Sequence, residues 1–169
     1  MLSLIVGNIF SLLSATCIAI SVLKKNKKDL IWWQIIDAVF SILSNIALYT
    51  YAALTTNFVA VIRNILAYNN KLTKSITGVL VLLCIIAGFF ANNRGVIGIL
   101  PVVASAGYTI FMFTTKNEQQ MRWALIFNLT LWFIHDVYVQ AYPTVLIKIL
   151  LIGWTFIKIF QYVLNKKRL

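Results

Sequence analysis

The chain has 169 residues, enough for one domain, and 61% of them are apolar while 11% are charged, against roughly a quarter charged in a soluble protein. Fifteen bases and four acids cannot coat a soluble globule of this size. An ordinary soluble enzyme and a disordered chain are thereby excluded, and a polytopic membrane protein remains.

A helix needs about 20 apolar residues to cross the hydrocarbon core. Apolar runs cover residues 2–23, 30–54, 56–68, 76–91, 95–113, 123–142 and 144–164. Backbone in lipid must satisfy its own hydrogen bonds, so these runs predict seven helices. The alternating strands of a barrel are missing. The first run has no basic residues before it, and Ser14-Ala15-Thr16 ahead of Cys17 makes a poor lipoprotein site, so it reads as a retained span. Cys17 and Cys84 both lie inside apolar runs and read as small core residues.

The loops between the spans carry charge on one side. Lys24, Lys25, Lys27 and Lys28 follow the first span, Lys71 and Lys74 the third, Lys116 and Arg122 the fifth, and Lys166, Lys167 and Arg168 the last. The other side has Arg94. The positive-inside rule then puts the amino terminus outside and the carboxyl terminus in the cytoplasm. In this setting the net charge of +11 marks loops that face an anionic leaflet, and no nucleic-acid partner is expected.

The chain also reads as a repeat. Trp33 and Trp123 stand 90 residues apart, each near the start of a span that follows a basic loop. Base-free loops at 52–57 and 141–144 come next, and each third helix carries an Ile-cation step, Ile62-Arg63 and Ile157-Lys158. The expected plan is a three-helix repeat (1–70), a linker span (71–94) and a second three-helix repeat with a tail (95–169). A single linker span makes the two repeats parallel about an axis along the membrane normal, a known transporter plan.

Intramembrane polar groups usually face a bundle interior or a cavity. Asp37 and Arg63 sit at similar depth on sequential helices, which predicts an ion pair. Asp136 and Lys148 predict a second pair toward the outside. Gln34, Asp37, Ser41, Ser44 and Asn45 share one helix face, and so do Asn128, Trp132, His135 and Asp136. A substrate pathway through Asp37, Asn45, Arg63, Asn128, His135 and Lys158 follows as an expectation, with Lys158 either offering charge to a ligand or snorkelling to the headgroups. His135 either relays protons or bonds a neighbouring helix. The stripe Ser3, Gly7, Ser11 and Ser14 reads as close helix packing. Pro101 predicts a kink that acts as a hinge or only as a bend. A lone histidine and scattered acids supply no metal site, and no cofactor motif, nucleotide loop or nucleophile with its base occurs, so no enzyme is expected.

Three stretches resemble the YgjV family of bacterial inner-membrane proteins: residues 51–66 with Val61-Ile62-Arg63-Asn64, Ile99-Leu100-Pro101-Val102, and Trp132-Phe133-Ile134-His135-Asp136 with the later Phe156-Ile157-Lys158. The resemblance covers nearly the whole chain and implies a multi-pass protein of the inner membrane. A more distant similarity to the SWEET and PQ-loop superfamily implies a three-one-three helix plan and movement of a small solute, although this chain has no Pro-Gln dipeptide. The expected partners are the lipid bilayer and a small polar solute, and a homo-oligomer remains open. The alternative is a non-transporting membrane subunit whose polar faces pack dry against each other.

Overall fold

The computed structural model describes residues 2–24, 26–114 and 118–166. Lys25, Lys116, Lys167 and Arg168 lie outside the described residues. The described chain forms seven α-helices: α1 (Leu2–Leu23), α2 (Lys27–Ala47), α3 (Tyr51–Tyr68), α4 (Lys74–Phe90), α5 (Gly95–Thr114), α6 (Glu118–Tyr138) and α7 (Tyr142–Lys166). Four of them, α1, α2, α5 and α7, are long and apolar enough to cross a membrane, and α4 is a shorter apolar helix. The other two, α3 and α6, carry more polar groups: Asn57, Arg63 and Asn64 on one, Asn128, His135 and Asp136 on the other.

The apolar run 30–54 contains a helix end. α2 stops at Ala47, and three residues later α3 begins. The turn holds neither Gly nor Pro. Tyr49 takes the left-handed conformation instead, with φ at 56°. The Tyr49 amide donates to Ile46 and the Thr50 amide to Asn45, which is the two-bond Schellman pattern that satisfies the last carbonyls of a helix. The same ending recurs 91 positions on, after α6: Gln140 has φ at 61°, its amide donates to Val137, and that of Ala141 donates to Asp136. The base-free stretch 52–57 lies inside α3.

This register revises the expected tryptophan match. Trp32 stands 91 positions before Trp123, and the two are alike in exposure at 51% and 54%. Trp33 lies one position away, on a more covered face.

The helices pack in a ring. α1 contacts α2, α2 contacts α3, α3 contacts α5, α5 contacts α6, α6 contacts α7, and α7 returns to α1. α4 touches only α3 and α5, so it sits outside the ring against their seam. That seam is apolar, built from Ala52, Val59, Leu80, Cys84, Val102 and Ala106. Gly88 lets α4 approach: a Cβ there would lie 2.5 Å from Val102 Cγ2. Both cysteines are free and buried.

Polarity is inverted relative to a soluble protein. Leu12, Val39, Ile62, Leu83, Val103, Ile134 and Leu150 are exposed, while Ser11, Ser14, Gln34, Asn45, Asn57, Arg63, Asn64 and Asp136 are buried. This is the arrangement expected where the surroundings are hydrocarbon.

Candidate functional site: a polar cavity inside the helix ring

The buried polar groups surround a cavity of about 110 Å3. All six ring helices contribute to it, and α4 contributes no residue among those described. α2 presents Gln34, Asp37, Ala38, Ser41, Ser44 and Asn45, and α6 presents Leu125, Asn128, Leu129, Trp132 and Asp136. Every cavity residue of α6 is the 91-position counterpart of one on α2: 34 and 125, 37 and 128, 38 and 129, 41 and 132, 45 and 136. The same offset relates Ser14 on α1 to Ser105 on α5, and Asn57 on α3 to Lys148 on α7. The two long polar faces predicted from helical spacing, His135 excepted, therefore meet in one space.

Asp37 and Arg63 both line this space, but they do not pair. Asp37 Oδ1 accepts a 2.6 Å hydrogen bond from Ser14 Oγ, which is 2.8 Å from Ser41 Oγ. Arg63 points to α5. Its Nε donates to Asn64 Oδ1 at 3.0 Å and its Nη1 to Thr109 Oγ1 at 3.2 Å, with the guanidinium 5.2 Å from the centre of the Tyr108 ring. Matching depth put them at one level; the rotation of each helix turns Asp37 toward α1 and Arg63 toward α5.

The second acid is differently placed. Asp136 Oδ2 contacts Lys148 Nζ and takes a 2.6 Å hydrogen bond from Thr144 Oγ1. Its Oδ1 is 3.2 Å from His135 Nδ1. Lys148 also lies 5.2 Å from the centre of the Trp132 ring. His135 is 1% exposed and stands behind this group, off the cavity wall, with its ring edge against Trp132 at 5.6 Å. Its Nε2 has no partner among the described residues. Among the described residues no three His, Cys, Asp or Glu side chains gather as metal ligands.

Lys158 does not reach the cavity. Its ammonium lies 4.9 Å from the centre of the Trp154 ring, and Trp154 is the α7 counterpart of Arg63. The shared Ile-cation step placed Lys158 one helical turn too far along. Pro101 is fully buried within α5, which continues as helix from Gly95 through Thr114. Asn128 lies on the wall, and so does Asn45, whose Oδ1 accepts from Thr50 Oγ1 at 2.7 Å.

An apolar cluster packs under the α2–α3 and α6–α7 turns. Leu48 and Val139, which cap those two helices, form one buried cluster with Ala141, and Leu4 packs against it. Each turn is also held by an asparagine from elsewhere. Asn93 donates to the Tyr49 carbonyl at 2.7 Å and accepts from the Tyr51 amide at 3.2 Å. Asn8 does the same for Gln140 and Tyr142, both at 3.1 Å. Gly7 packs tightly against this cluster: a Cβ on it would sit 2.6 Å from Leu48 Cδ2.

A family model, Imp-YgjV, described as a bacterial inner membrane protein, matches residues 5–166. The chain belongs to the Imp-YgjV family. The match takes in every residue of the cavity wall. No curated protein and no solved structure is significantly similar to the chain.

Several wall residues were not singled out from sequence. Asn57 and Asn64 lie at helical spacing on α3 beside Arg63, and within a short apolar run the single charge outweighs the two amides as a signal. Ser105 and Tyr108 sit in an apolar helix with no pattern to mark them. Thr144 follows Pro143 and reads as a helix start.

Proposed function

We propose that this Imp-YgjV protein is a multi-pass carrier of a small polar solute. In this reading two parallel three-helix repeats, α1–α3 and α5–α7, are joined by α4, with the amino terminus outside. The observation that carries it is the cavity: polar groups from all six ring helices converge on one space with room for several waters or a solute of a few heavy atoms. Buried polar atoms are normally paired. Here Gln34 Oε1 and Asn57 Nδ2, both on residues of the wall, have no partner among the described residues, as expected where water or solute completes the bonding.

The repeat reading draws on the ring order. Pairing α1 with α5, α2 with α6 and α3 with α7 exchanges the α3–α5 contact with the α7–α1 contact, as a two-fold relation between repeats requires, and the 91-position matches on the wall and at the endings of α2 and α6 fit the same pairing. Lys24, Lys28, Lys71, Lys74 and Arg122 lie toward one end of the bundle and Arg94 toward the other, which favours the α2–α3 and α6–α7 turns facing outward. Carrier sites commonly lie near the midplane between repeats. Asn45 and His135 bond to Thr50 and Asp136, not to each other, among the described residues, which supports a wetted cavity over direct packing of these two side chains.

Water access tests this reading without a known substrate. With Cys17 and Cys84 replaced by Ala, a membrane-impermeant maleimide modifies Asn45→Cys in vesicles of at least one orientation, while the lipid-facing Phe127→Cys stays unmodified. Protection of Asn45→Cys from every aqueous phase overturns the carrier.

A further inference from the structure

Of the four charged side chains on the cavity wall, two neutralise each other: Asp136 and Lys148 are in contact. The other two are not spent. Arg63 is 6% exposed, and its Nε and Nη1 have acceptors while its Nη2 has none among the described residues. Asp37 uses Oδ1 toward Ser14, and no protein donor reaches its Oδ2 among the described residues. Neither spare atom belongs to the fully enclosed unpartnered set. One acid and one base thus face the same small space, beyond ion-pair contact with each other, and each has a free valence.

Holding a charge without a counter-charge inside a membrane is costly, and such groups mark ligand positions. A neutral polyol compensates neither charge. An anion compensates Arg63 and leaves Asp37 facing negative charge; a cation does the reverse. The class that answers both is a small zwitterion. A cavity of about 110 Å3 restricts it to a compact one.

We infer that the cavity binds a small zwitterion with an ammonium and a carboxylate on one carbon, of the size of a short-chain α-amino acid: the ammonium meets Asp37 and the carboxylate meets Arg63. Tyr108 and Thr109 hold the guanidinium in place, and Ser14 and Ser41 hold the carboxylate. Asn128, the α6 counterpart of Asp37, is uncharged and leaves the two repeats unequal, so the ligand has a fixed polarity in the site. This inference rests on the carrier reading above and adds the substrate class.

The test uses four solutes of one size and shape in counterflow into proteoliposomes of the full chain: L-alanine, L-lactate (ammonium replaced by hydroxyl), L-alaninamide (carboxylate replaced by amide) and L-lactamide (both replaced). A site that pairs a charged group rejects an isostere lacking it strongly, so alanine is expected to exchange at least tenfold faster than each of the others. Asp37→Asn is expected to reduce the alanine-over-lactate preference at least tenfold, and Arg63→Gln the alanine-over-alaninamide preference, with folding of each variant followed by its melting temperature. If a variant does not fold, the four-solute comparison on the unaltered chain decides alone. Exchange of lactate or lactamide as fast as alanine overturns the zwitterion and keeps the carrier. No exchange above protein-free vesicles also overturns it; labelling of Asn45→Cys then shows whether the carrier reading falls with it.

Discussion

Lys148 on α7 meets the carboxylate of Asp136 on α6 inside the helix ring, and Asp37, on the same cavity wall, has no cation in contact among the described residues. The two acids therefore answer opposite demands. Asp136 is fastened by Lys148, Thr144 and His135, and removing one partner of a buried pair costs about 3–5 kcal/mol. Asp136→Asn and Lys148→Met should each lower the melting temperature of the purified protein clearly, and the double variant should lose less than the sum of the two. Additive losses would mean that the pair contributes no coupling.

Asp37→Asn should act in the other direction. The amide oxygen can still accept from Ser14, and an uncompensated charge is removed. Functional sites commonly hold such costs, and relieving them typically adds about 1 kcal/mol of stability. The expected result is a higher melting temperature; a fall as large as that of Asp136→Asn would place Asp37 among the structural ion pairs.

The approach of α1 to the α2 ending depends on Gly7. A Cβ there meets Leu48 Cδ2 at 2.6 Å, whereas nothing lies within 4 Å of one added at Gly78. Overpacking costs about 1–3 kcal/mol, so Gly7→Ala should destabilise. Gly78→Ala, within α4, should be neutral or stabilising, since Ala is the better helix former. Equal melting temperatures for the two variants would contradict the close packing at Leu48.

Asn8 and Asn93 each bridge a carbonyl and an amide across one turn. Asn8→Ala should speed hydrogen exchange at the Tyr142 amide and leave Tyr51 unchanged, and Asn93→Ala should do the converse. The loss is about 1 kcal/mol for each hydrogen bond. Faster exchange at both turns in both variants would show that the turns open as one unit.

Much of this was legible in the sequence. Span composition gives α1 at its observed limits, and helical spacing on α2 and α6 identifies Gln34, Asp37, Ser41, Ser44, Asn45, Asn128, Trp132 and Asp136, about a third of the wall. The boundary between α2 and α3 was hidden because an apolar run passes through a turn whose left-handed residue is Tyr49; a Gly there would have marked it. The Asp37–Arg63 pairing failed for a different reason. Rise per residue fixes depth but not rotation, and what decides a partner inside a bundle is which neighbour a side chain faces. Lys158 shows the limit of matching short motifs: Ile-Arg and Ile-Lys agree in letters while the register places Trp154, not Lys158, opposite Arg63.

Alternating access at the cavity centre is the most direct test. In a background lacking Cys17 and Cys84, Asn128→Cys should be modified by an impermeant maleimide in right-side-out and in inside-out vesicles, with either face able to exhaust the reactive population. Modification from neither face, or from one face only under every condition tried, would contradict a carrier built around this cavity.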